Sequence, residues 1–151
     1  MTSSRHIFVD TNILTYATID AAPFHAQARA ILDKLWDEGA LLYLSHQVIR
    51  EYIVNATRPQ NYSPAIPMSS VLEQVEDFRK SFYILPDSAK VLSRFVELLS
   101  KVTVGGRPVH DTNIVATMLA YEIDTLLTHN TKDFERYSAF ISVLPLIEEQ
   151  P

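Results

Sequence analysis

Short apolar runs closed by polar turns alternate along this chain with longer stretches whose apolar residues recur at helical spacing. That alternation restricts the fold more than any single residue does. The run at 6–9 ends at Asp10-Thr11-Asn12, after which Ile13, Leu14, Tyr16, Ala17 and Ile19 recur as on one helix. Pro23 restarts the chain, and Phe24, Ala28, Ile31, Leu32, Leu35 and Trp36 predict the buried stripe of a second helix, ended by Gly39. Residues 41–44 read as a second strand. A helix over 47–57 follows, with Val48, Tyr52 and Ile53 apolar and Glu51 beside them, and Pro59 stops it. Pro59, Pro64 and Pro67 mark 58–67 as a loop. Ser69 and Ser70 are candidate caps for a helix to about residue 81, with Val71, Leu72, Val75 and Phe78 on one face.

A third strand at 83–85 leads to a helix opened by Asp87 or Ser88, whose stripe is Val91, Leu92, Phe95, Leu98 and Leu99. Gly105-Gly106-Arg107-Pro108 breaks it, and a helix from Asp111 carries Ile114, Val115, Met118, Leu119 and Tyr121. Residues 125–128 read as a fourth strand, 132–137 as a turn or short helix, and 140–144 as a last apolar run before an acidic tail. Strands alternating with helices predict an α/β, three-layer α/β/α sandwich with a mainly parallel central sheet of about five strands. The 151 residues suit one domain.

With no cysteine, thiolate metal sites and disulfides are excluded, so any metal must bind through oxygen or imidazole. The first residues lack a signal peptide's apolar run, and no stretch approaches the ~20 apolar residues of a membrane span. The expectation is a cytoplasmic protein. A net charge of −5 argues against holding nucleic acid by a basic surface. It does not argue against a nuclease, because a carboxylate cluster supplies part of that charge and a bound divalent cation would reverse the local field.

Four acids, Asp10, Glu51, Asp111 and Asp133, fall where strands or helices would hold them at one edge of such a sheet, outside the strand ends. Singly, each has an ordinary reading: Asp10 and Asp111 as helix caps, Glu51 on a solvated face, Asp133 in a loop. Jointly, four carboxylates on one rim repel one another, and a bound cation relieves that most simply. Oxygen ligands suit Mg²⁺ or Mn²⁺.

Phe8-Val9-Asp10-Thr11-Asn12-Ile13-Leu14, Val48-Ile49-Arg50-Glu51-Tyr52, the run from Val109 to Ala116 through His110-Asp111-Thr112-Asn113, and the run from Leu127 to Phe134 ending in Lys132-Asp133 resemble, in order and spacing, the motifs of PIN-domain ribonucleases, and among them the toxins of VapC type. The resemblance spans nearly the whole chain. It implies a single PIN domain over 1–151 that hydrolyses RNA with Mg²⁺ or Mn²⁺. It makes Asp10 and Asp111 direct ligands, Asp133 a ligand or water positioner, and Glu51 a ligand or general base, with Thr11, Asn12, Thr128 and Asn130 as supporting polar residues. It further implies an RNA substrate, a cognate antitoxin and a homodimer. The chain departs from the pattern at Asn130, where many members carry an acid, and at Thr112-Asn113, where small apolar residues are usual.

Arg107, Lys132 and Arg58 are candidate phosphate contacts, each with a surface-charge alternative. Tyr16 and Tyr62 are candidates to stack on a base, with core packing the stronger expectation for Tyr16. His110 and His129 are better read as structural, since metal-assisted cleavage needs no imidazole. Two other classes stay open: a PIN-fold binding module without activity, and a metal-dependent phosphatase or DNA nuclease. Asn12 weighs against the phosphatase, because it stands where a nucleophilic Asp-x-Asp pair would need its second acid.

Overall fold

The computed structural model describes residues 4–59, 61, 62 and 64–147. Residues 60 and 63 of the proline-rich loop and the acidic tail beyond 147 lie outside them. The elements are β1 (His6–Val9), α1 (Thr11–Thr18), α2 (His25–Asp37), β2 (Leu41–Ser45), α3 (His46–Thr57), α4 (Met68–Ser81), β3 (Tyr83–Leu85), α5 (Ala89–Lys101), α6 (Val109–Ala120), β4 (Thr125–Thr128), a 3₁₀ helix (Thr131–Tyr137) and β5 (Ser142–Pro145). The five strands pair in the order β3-β2-β1-β4-β5, and every pairing is parallel. The predicted three-layer architecture is therefore present, with a sheet wholly rather than mainly parallel.

Parallel strands need crossovers, and right-handed ones set α1 to α4 on one face, α5, α6 and the 3₁₀ helix on the other. The packing agrees: α1 lies against α2 and α3, α3 against α4, and α5 against α6. Because both faces are covered, the central strands are apolar throughout instead of alternating. Ile7, Phe8 and Val9 of β1, Leu44 of β2, and Leu126 and Leu127 of β4 are fully buried.

Some local expectations shift. α6 starts at Val109, not at Asp111, because Pro108, with its fixed φ, supplies the entry to the first turn and leaves Asp111 inside it. α4 is entered from Pro67 in place of the two serines. Leu72, Leu92 and Trp36, assigned to buried stripes by periodicity, are exposed. Periodicity gives the direction of a stripe but not how far the next layer extends over it.

One cap bears directly on the crevice. Ser45, the last residue of β2, is buried, and its Oγ accepts the Val48 N–H at 3.3 Å, so strand and helix α3 join without a spacer. Ser45→Ala is expected to cost about 1 kcal/mol, read as a lowered urea midpoint with an unchanged slope.

Candidate active site

Chain order reverses between β1 and β4. From β1 the chain steps outward to β2 and β3, then returns to β4 on the other side. Such a reversal opens a crevice beyond the carboxyl ends of the two strands. Asp10 is the first residue past β1, and its N–H continues the ladder to the Leu127 carbonyl at 3.0 Å, which fixes where its side chain starts.

Every neighbour of the Asp10 carboxylate then constrains it. Oδ1 accepts the Thr11 N–H at 2.8 Å, and Oδ2 accepts the Thr128 hydroxyl at 2.8 Å and an Asn12 N–H at 3.3 Å. The Thr128 oxygen itself receives an N–H from Asn12 at 3.3 Å and the Asn130 backbone N–H at 3.1 Å, so its own proton is left for Asp10. Asn12 closes the ring by accepting the His129 N–H at 3.1 Å. Thr11, Asn12 and Thr128 thus surround Asp10. Asn130 contributes backbone only, and the residue as a whole is exposed.

Glu51 lies one turn beyond the start of α3, half-buried, with both carboxylate oxygens engaged. Thr11 donates its hydroxyl to Oε2 at 2.9 Å, and Gln47 donates an amide N–H to Oε1 at 3.0 Å. Asp111, half-buried in the first turn of α6, takes part in none of the ion pairs among the described residues. Asp133 is exposed in the first turn of the 3₁₀ helix.

The four charges act on one another. Burial raises Asp10 to about 6, the Glu51 charge adds to it, and the donors Thr128, Thr11 and Asn12 oppose it. Burial also raises Asp111, to about 7, helped by Asp10, Asp133 and Glu51 in turn and opposed by Arg136. Among the described residues, no group of three or more His, Asp and Glu side chains is set to hold a metal ion. Asp10 is turned toward Thr128, and Glu51 toward Thr11 and Gln47. The donor set itself fits a hard cation: carboxylates only, three of them kept at least partly out of water, and none of the four paired with Lys or Arg among the described residues.

Arg107, Lys132 and Arg58 are all exposed. The arginine whose charge reaches Asp111 is Arg136, one helical turn beyond Asp133, which sequence reasoning missed. Tyr16 is half-buried against Phe24 and the His129 ring, at 5.6 and 5.7 Å, and burial raises its hydroxyl, with the Asp10 charge adding to it. The His129 ring packs at a tilt against Phe24, with centroids 4.5 Å apart, a packing role as expected. Gln47 was also missed, although a glutamine four residues before a helical glutamate is a readable signal. The departures at 112 and 113 both acquire partners. Thr112 bonds the buried Tyr137 hydroxyl, and Asn113 donates to Gln47.

Fold and site together define an α/β/α protein with an acidic crevice at the switch point of a parallel sheet. The sequence profile of the PIN domain matches residues 7–139. The chain belongs to the PIN domain family. A curated relative, the ribonuclease VapC48 of Mycobacterium tuberculosis, is 24% identical over 130 residues, 85% of this chain and 89% of the relative. Among solved structures, VapBC2 of Rickettsia felis, bound to a fragment of promoter DNA, superposes with a TM-score of 0.68 at 21% identity, over 93% of this chain and 98% of that one. VapC20 of M. tuberculosis, a toxin that cleaves the sarcin-ricin loop, gives 0.66 at 16% identity, over 92% of this chain and 99% of that one.

Proposed function

We propose that this chain is a divalent-cation-dependent endoribonuclease, one PIN domain over residues 1–151, and the toxin of a toxin-antitoxin pair. The observation that carries the reading is the gathering of Asp10, Glu51 and Asp111 at one crevice, where burial first and the Glu51 charge next raise Asp10 to about 6, and burial first and then Asp10, Asp133 and Glu51 raise Asp111 to about 7, in a family whose curated relative is a ribonuclease. Carboxylates held in that way destabilise an empty site and favour a cation.

Asp10, Asp111, Asp133 and Glu51 are the residues that would hold Mg²⁺ or Mn²⁺. The bound cation would supply a water of lowered pKa and offset charge gathering on the phosphate oxygens. Thr128 and Asn12 keep Asp10 in one rotamer. Glu51, gripped from both sides, serves either as a further ligand or as the base toward the attacking water. Arg107, Lys132 and Arg58, exposed and outside the ion pairs among the described residues, are offered as phosphate contacts. An RNA target places the activity in the cytoplasm. No helix among the described residues is long and apolar enough to cross a membrane.

Two surfaces support protein partners. Leu92 and Val96 lie exposed one turn apart on α5, which favours a homodimer. A cavity of about 140 Å³ between α1, α2 and α4, floored by Leu14, Leu32, Phe78 and Phe82 with Trp36 beside it, favours an antitoxin segment with an apolar side chain.

The direct test offers labelled single-stranded RNA, DNA of the same sequence and p-nitrophenyl phosphate to the protein with Mg²⁺ or Mn²⁺ and with chelator. Cation-dependent cleavage of RNA alone is expected. Hydrolysis of the phosphate ester would move the reading to a phosphatase, and cation binding without any cleavage would move it to a binding module.

A further inference from the structure

We propose that Gln47 is a positioning residue that holds Glu51 in the crevice and ties it, with Asn113, to the two sides of Asp111 on α6. The inference rests on the nuclease reading above and names a part of that site which the sequence motifs do not contain.

Gln47 is 5% exposed in the first turn of α3, and its amide is fully committed. Nε2 donates to Glu51 Oε1 at 3.0 Å and to the His110 carbonyl at 2.8 Å, while Oε1 accepts an N–H of Asn113 at 2.7 Å. A carboxylate and a carbonyl only accept, so the amide nitrogen must face them and the oxygen must face Asn113. The arrangement therefore has one polarity and no flipped alternative. His110 immediately precedes Asp111 and Asn113 lies two residues after it, so one side chain grips α6 on both flanks of that acid. From the other direction Thr11, the neighbour of Asp10, holds Glu51 Oε2 at 2.9 Å.

Glu51 is thereby spanned between the residue beside Asp10 and the turn that carries Asp111, two acids whose charges its own repels. Without the amide, a glutamate in a half-buried helical position relaxes toward solvent. With it, the carboxylate stays in place before any ligand arrives, which is the condition for a preorganised site. Asn113 orients the amide in its turn. The polar residue found where small apolar ones are usual is thus the distal end of this chain of hydrogen bonds.

The test compares Gln47→Met, which keeps length and loses the hydrogen bonds, with Asn113→Ala, the double variant and Glu51→Gln. Mn²⁺ affinity is read by electron paramagnetic resonance on folded protein, beside kcat and KM on RNA. Gln47→Met is expected to weaken Mn²⁺ and to lower kcat each by about tenfold, the lower end of what residues orienting metal ligands contribute. KM for RNA should hardly move. Asn113→Ala should act in the same direction and more weakly, and the double variant should be no worse than Gln47→Met alone. Wild-type Mn²⁺ affinity in folded Gln47→Met, when Glu51→Gln has lost it, overturns the proposal and leaves the nuclease reading intact. If Gln47→Met does not fold, unchanged affinity in Asn113→Ala overturns it equally. No Mn²⁺ binding by wild type removes the nuclease reading and this inference with it.

Discussion

Asp111→Asn is expected to remove cation-dependent RNA cleavage, by on the order of a thousandfold, while raising the melting temperature of the metal-free protein at pH 8. The two effects have one cause. Burial and the charges of Asp10, Asp133 and Glu51 raise Asp111 to about 7, so at pH 8 the folded protein carries an anion that its surroundings disfavour. An amide of the same shape relieves that repulsion and gives up the negative oxygen a cation needs. Because Asp111 is only half-buried, solvent screens part of the repulsion, and a gain of a few degrees is the reasonable scale.

Asp10→Asn should abolish cleavage equally but without the same gain in stability. Its Oδ2 receives donors from both Thr128 and Asn12, and an amide nitrogen at that atom would face two donors. Activity assays and differential scanning calorimetry on the two variants separate a site from a mere pair of caps. Asp111→Asn that cleaves within tenfold of wild type would sink the assignment.

The second large effect is on stability against pH in chelator. Both raised acids bind their proton more tightly in the folded than in the unfolded chain. Their contribution to stability is complete below the unfolded value of 3.8 and is lost as pH rises through about 6 for Asp10 and about 7 for Asp111. For buried Asp10 the shift corresponds to about 3 kcal/mol, and Asp111 adds a smaller, screened amount. The melting temperature in EDTA should therefore fall by roughly 5–10 °C between pH 5 and pH 8. Mg²⁺ or Mn²⁺ at about a hundred times its Kd should return about 2.7 kcal/mol at pH 8 and much less at pH 5, where protons compete. Asp111→Asn should flatten the slope. A melting temperature that rises over this interval in EDTA, or a cation shift of equal size in wild type and Asp111→Asn, would contradict the account.

Much of this protein is legible before any coordinates. β1, β2 and β4 declare themselves as apolar runs because both their faces are covered, and Asp10 stands out because it is the first polar residue where such a run ends. The order of the four acids could be read for the same reason, since each is pinned to an element whose place in the sheet follows from the alternation. The hydrogen bonds that aim those acids could not. Thr128 reaches Asp10 across 118 residues, and Asn113 reaches Gln47 across 66. Nothing in local propensity relates such positions. The exposure of Leu92 and Trp36 is hidden likewise, because helical periodicity does not specify how far the neighbouring layer extends. Local chemistry determined the elements and placed the charges at their ends. Only the packing of α1, α3, α6 and β4 around one crevice decided which donor meets which carboxylate, because hydrogen bonds are made within about 3 Å and that distance is set by the whole fold.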